Sequence, residues 1–103
     1  MRTERDGFKD FVLDQLTDLN QVRCRAMFGG HGLYCRAAFF GIIHKGRLYF
    51  KVTSTTIERY NAHGMKPFRP NAKQTLKSFY EVPIDIVEDA ERLTDWAAAS
   101  VNR

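Results

Sequence analysis

Three histidines, two cysteines and a Gly-Gly-His-Gly run are the groups from which this sequence could assemble chemistry. The run lies within "RAMFGGHGLYCRAAFFGII", residues 25–43. A phosphate cradle needs Gly-x-x-x-x-Gly-Lys-Ser/Thr, or a Gly-x-Gly-x-x-Gly that opens a helix. Neither pattern is present, and the residues after Gly32 read as strand, so no helix N-terminus stands ready for an anion. His31, His44 and His63 are never four residues apart, and no carboxylate lies near His31 in sequence to orient its ring. Cys35 and His31 could point to one side of a strand, but two ligands do not make a metal site. A nucleophilic Cys24 or Cys35 would need a histidine base within reach, and only closeness in sequence speaks for one. The spacing of the two cysteines matches no zinc or redox motif, so ordinary reduced thiols are expected. We therefore expect no catalytic residue, no metal ligand set and no cofactor. What remains is a backbone role: Gly29 and Gly30 can take positive φ, as a bulge or sharp bend demands. The reading preferred is a bulge within one long first strand. A hairpin at Gly29-Gly30 is the alternative, and it places Cys24 opposite Cys35.

The elements around these residues follow from periodicity. Phe8, Phe11, Val12, Leu16 and Leu19 recur at helical offsets with carboxylates between them, which predicts an amphipathic helix stopping near Asn20. Residues 22–52 are rich in β-formers. Lys45-Gly46 suits a two-residue hairpin loop, pairing His44 with Arg47, Ile43 with Leu48, Ile42 with Tyr49 and Gly41 with Phe50. Continued further, that register pairs Phe40 with Lys51 and Phe39 with Val52. One face then carries Ile43, Leu48, Gly41, Phe50, Phe39 and Val52, all apolar. The other carries His44, Arg47, Ile42, Tyr49, Phe40 and Lys51. An earlier turn near Arg36-Ala37 would put Tyr34 on the apolar face and Gly32 across from Gly41. Thr55 and Glu58 have capping-box spacing before a short helix that ends at Gly64. Pro67 and Pro70 bracket an edge segment with a turn at Asn71-Ala72, and a last strand follows. After a helical turn at residues 83–87, Asp89 caps a closing helix whose buried stripe is Leu93, Trp96, Ala97, Ser100 and Val101. The order α-β-β-β-α-β-β-α predicts an α+β fold of two layers, an antiparallel sheet with helices mainly on one face.

The charge is divided along the chain. Residues 1–18 sum to −2 and residues 81–103 to −4, while residues 19–80 hold eleven basic side chains and one acid, Glu58, for +10. At 103 residues the chain reads as one domain, 1–103. No apolar run approaches the roughly 20 residues of a membrane helix, and the start lacks a secretory h-region. A cytoplasmic location without membrane attachment is expected.

"RAMFGGHGLY", "FFGII", "RLYFKV" and "FYEVP", followed by an acidic helix with Leu93 and Trp96, resemble the N-terminal domain of the TfoX/Sxy family. The matching positions are Arg25, Met27, Phe28, Gly29, Gly30, Gly32, Leu33, Tyr34, Phe39, Leu48, Tyr49 and Lys51. The resemblance implies a secretion-chaperone-like two-layer fold, here as a stand-alone domain, and no enzymatic residues. It implies a link to natural competence, in which family members act as transcriptional co-activators with the cyclic-AMP receptor protein.

Three functions are weighed on the residues. A protein-interaction module would use the mixed sheet face, where Phe40, Ile42 and Tyr49 are rimmed by His44, Arg47 and Lys51. An acidic helix meeting a basic sheet would also suit a homodimer. Nucleic-acid binding is the alternative, with bases stacked on sheet aromatics and phosphates on Lys and Arg. An enzyme would need a convergent acid, base or nucleophile set, which the basic middle does not offer. The expected reading is a non-enzymatic regulatory domain acting through a protein partner.

Overall fold

The computed structural model describes residues 4–27 and 29–101, with backbone only for residues 4–6. Helix α1 (Glu4–Gln15) leads into β1 (Val22–Met27), β2 (Gly30–Cys35), β3 (Ala38–His44) and β4 (Arg47–Lys51). Next come α2 (Ile57–Ala62), β5 (Pro67–Asn71), β6 (Gln74–Glu81), α3 (Ile84–Val87) and α4 (Ala90–Val101). The strands form one antiparallel sheet in the order β1-β2-β3-β4-β6-β5. This is the expected α+β order, with the long first strand divided into β1 and β2. All four helices contribute to one core on one side of the sheet. Val12 and Leu16 of α1, Tyr60 of α2, Ile86 and Val87 of α3, and Leu93, Trp96 and Ala97 of α4 pack there with Leu33, Phe40, Ile43, Leu48 and Phe50.

The glycine run makes a hairpin rather than a bulge. Met27 pairs with Gly30, so the register is one step short of the Gly29-Gly30 alternative. Gly29 supplies the left-handed conformation at φ 73°. Gly30 is held for another reason: a β-carbon there would run into the carbonyl oxygen of Ile43. Only a residue without a side chain lets β2 and β3 approach at that point. In this register Cys24 faces Leu33 and Cys35 faces Val22, so the thiols are not opposed. Both are free.

A bulge does exist, one hairpin later. Leu33 pairs with Gly41 and Tyr34 with Phe39, which leaves Phe40 as an extra residue in β3. An extra residue reverses the alternation on its far side. Phe40 therefore enters the helix-side core, with its ring 5.7 Å from Phe50. Phe39 turns to the opposite face with Tyr34, the two rings stacked at 5.1 Å. This corrects the expected placement of Phe39, Phe40 and Tyr34, and it puts Leu33 rather than Gly32 across from Gly41. A β-carbon on Gly41 would crowd the Leu33 and Phe50 side chains and the Tyr49 carbonyl oxygen, each at 3.2 Å.

Several local expectations stand. Lys45 and Gly46 both have positive φ, 52° and 74°, as a type I′ loop requires, and the four pairs beyond them are as read. The turn at Arg36-Ala37 is present. Asp89 Oδ1 accepts the Arg92 amide at 3.1 Å and caps α4. Gly64 closes α2 at φ 72°. The start of α2 differs: Thr56 is its N-cap, and Thr56 Oγ1 accepts the Thr53 amide at 2.9 Å in place of a Thr55–Glu58 box. The β5–β6 turn falls at Ala72-Lys73, where Asn71 Oδ1 accepts the Lys73 amide at 2.8 Å. Phe11 departs from the buried stripe of α1 and is exposed.

Trp96 ties α4 to α2. Arg59 lies over its ring at 5.1 Å, His63 meets it edge-on at 5.5 Å and Tyr60 at 4.8 Å. Tyr60 is buried. Loss of solvent outweighs the lowering influence of the nearby Ser100 hydroxyl and Arg59 guanidinium and pushes the phenol up to about 12. The folded value thus lies above the unfolded one near 10, so stability from the neutral phenol is intact below pH 10. It is then lost as pH rises toward 12, at about 1.4 kcal/mol per pH unit. Denaturant melts at stepped alkaline pH, with tyrosinate absorbance followed in parallel, should show this slope in the native chain and a shallower one in Tyr60→Phe.

Candidate interaction surface

The face expected to lie open is largely closed. Phe40 and Ile42 have no exposure, and Tyr49 and His44 are each 9% exposed. Phe40 left that face through the bulge. The others are covered by the β5–β6 hairpin. In a flat sheet β5 would lie about 10 Å from β4 and about 14 Å from β3. Yet the Phe68 ring on β5 is 4.6 Å from Tyr49 and 5.2 Å from His44. The hairpin must therefore curl over the sheet, and the register shifts on both sides of Phe68 are where it bends. Phe68, Phe79 and Leu76 seal Ile42 and Tyr49 into a second, smaller core. Burial raises the Tyr49 phenol, with the Glu81 carboxylate adding to the shift and Arg47 opposing it. Arg47 remains exposed and pairs with Glu81 at 3.1 Å, and Lys51 is half-buried beside Phe79. Of the six expected interaction residues, only Arg47 and Lys51 reach the surface.

Several of the family-like positions are architectural. Leu33 and Leu48 are core, and Tyr49 belongs to the second core. Gly32 lies beneath the Met27 side chain, where a β-carbon would press on Sδ at 2.8 Å. Gly29 and Gly30 shape the hairpin, and Phe28 lies outside the described residues. His31 is half-buried on β2. Cys35 Sγ donates to the Asn20 carbonyl at 3.2 Å rather than meeting a histidine. It borders a recess of about 240 Å³ between the α1–β1 loop and the end of α4.

What the curl leaves uncovered is the β1–β2 side of the same face. Arg23 pairs with Tyr34 and Arg25 with Gly32, so both arginines stand on that side, exposed, near half-buried Tyr34, Phe39 and Met27. Sequence reading missed Arg23, Tyr34 and Phe39 as surface groups. The signal for Arg23 was present in the alternation of Val22, Cys24 and Ala26 with Arg23 and Arg25, which marks a two-faced edge strand.

The result is a two-layer α+β domain whose glycine motif builds the sheet and whose uncovered sheet margin is basic. The TfoX N-terminal domain family matches residues 14–103, and the chain belongs to that family. No curated protein matches it. Among the described residues no helix is long and apolar enough to cross a membrane.

Proposed function

We propose that this chain is a regulatory, protein-binding domain with no catalysis of its own, of the kind found at the N-terminus of competence regulators. The observation that carries this reading is the division of charge between the layers. Asp14, Asp18, Asp85, Glu88, Glu91 and Asp95 are exposed on or beside helices, whereas Arg23, Arg25, Arg36, Lys45, Arg47, Arg69, Lys73 and Lys77 are exposed on strands and their turns. Surfaces so separated in sign favour partners of complementary charge and reject others. The family resemblance puts transcriptional co-activation, with the cyclic-AMP receptor protein as partner, at the head of the roles to test. A second reading, direct binding of single-stranded nucleic acid, draws on Arg23 and Arg25 beside Tyr34 and Phe39, where bases could stack.

Capture of partners from the native cell, at low and moderate salt and with or without nuclease, tests the proposal. Protein partners that survive nuclease are expected. Partners lost entirely on nuclease treatment would replace the first reading with the second, and reproducible turnover of a small molecule by the purified chain would overturn it.

A further inference from the structure

Strand β1 is an edge of the sheet, and no described strand pairs with its outer side. The phase of its hydrogen bonds follows from the Arg36 amide donating to the Gln21 carbonyl at 3.2 Å. Gln21 and Arg36 continue the β1–β2 register, so Arg23, Arg25 and Met27 also bond inward to β2. The amides and carbonyls of Val22, Cys24 and Ala26 then point outward along about 14 Å of edge. Flanking them on the uncovered face stand the exposed Arg23 and Arg25.

A second copy of this chain fits that edge poorly. An antiparallel β1–β1 pairing centred on Cys24 sets Arg23 against Arg25 of the other copy. Shifting it by one bonding step either way sets Arg23 or Arg25 against itself. Like charges directly opposite destabilise a strand pair, so the edge is protected from self-association. The same arginines favour a strand that carries carboxylates at alternate positions.

We propose that β1 receives an extended acidic segment of a partner protein as a seventh strand, recognised by Asp or Glu at two positions two residues apart. Backbone bonds to Val22, Cys24 and Ala26 hold the segment, and its carboxylates stand opposite Arg23 and Arg25. The residue between the acids falls on the helix side beside half-buried Cys24, where an apolar side chain extends the packing of Val22. This rests on the protein-binding function proposed above and specifies the site and chemistry of that binding.

The probe is an acetylated peptide of alternating glutamate and valine, titrated into the full chain and followed by amide NMR shifts and fluorescence anisotropy. Shifts should concentrate at Val22, Cys24 and Ala26. Affinity should fall roughly tenfold when lysine replaces glutamate, and by a similar factor for Arg23→Ala with Arg25→Ala. Both arginines are exposed, so the double variant should keep the native melting temperature. Methylating the peptide's backbone nitrogens preserves charge but removes its N–H donors, and should also abolish binding. Equal affinity of the methylated peptide would overturn strand addition, as would shifts centred elsewhere or no binding at all. Tighter binding of an oligothymidylate to the same residues would overturn it in favour of nucleic acid. If native protein partners are captured equally well by the double-arginine variant, the edge proposal fails while the protein-binding reading stands.

Discussion

Phe68→Ala should lower the free energy of unfolding by about 3–5 kcal/mol, the cost of emptying a fully buried aromatic site. For a domain with a total stability of about 5–15 kcal/mol, that is a large fraction. The size of the effect is unexpected for a residue on a proline-flanked edge strand. It follows from the curl of the β5–β6 hairpin, which makes Phe68 the lid over Ile42 and Tyr49. A second readout separates lid loss from general weakening. Burial is the main reason the Tyr49 phenol is raised, so opening the lid should bring its titration down toward the ordinary tyrosine value. Urea melts and a tyrosinate titration measure the two effects. A cost below about 1 kcal/mol, typical of surface substitutions, would mean that the hairpin does not cover the sheet.

The second large effect compares neighbours. Phe40→Ala should cost about 3–5 kcal/mol, because Phe40 lies wholly within the helix-side core. Phe39→Ala should cost about 1–2 kcal/mol, because Phe39 is half-buried between Tyr34 and Phe79. A strand without the bulge would exchange the roles of the two. Denaturant melts of both variants therefore test whether β3 carries its extra residue at Phe40.

The parts of the fold legible in the sequence are those governed by local physics. Lys45-Gly46 announces its own loop type, Asp89 its cap, and the spacing of Leu93, Trp96 and Ala97 its buried stripe. Each depends on neighbours a few residues away. The misread parts depend on distant contacts. Gly30 is a glycine because of the Ile43 carbonyl thirteen positions later, and nothing within the run distinguishes that need from a bulge. The extra residue at Phe40 leaves the hydrophobic pattern unchanged, since Phe39 and Phe40 are the same residue type. That single ambiguity reassigned a face. The curl of β5–β6 is also non-local, since it brings Phe68 to Tyr49 across β6 and to His44 across β6 and β4. The expected site suffered most, because the same alternation that made Ile42 and Tyr49 look available would serve equally well beneath a lid. The charged residues were easier to place: Arg47 is exposed as read, and the basic middle of the chain became the basic sheet.

Most exposed carboxylates lie on or beside the helices, where Arg92 offsets them only in part, and most exposed basic groups lie on the strands and their turns, which makes the molecule electrically lopsided across its thickness. In the field of a negatively charged body it experiences a torque before contact and turns its strands toward the source. Productive collisions then need less rotational searching, and the gain should shrink as added salt shortens the reach of that field.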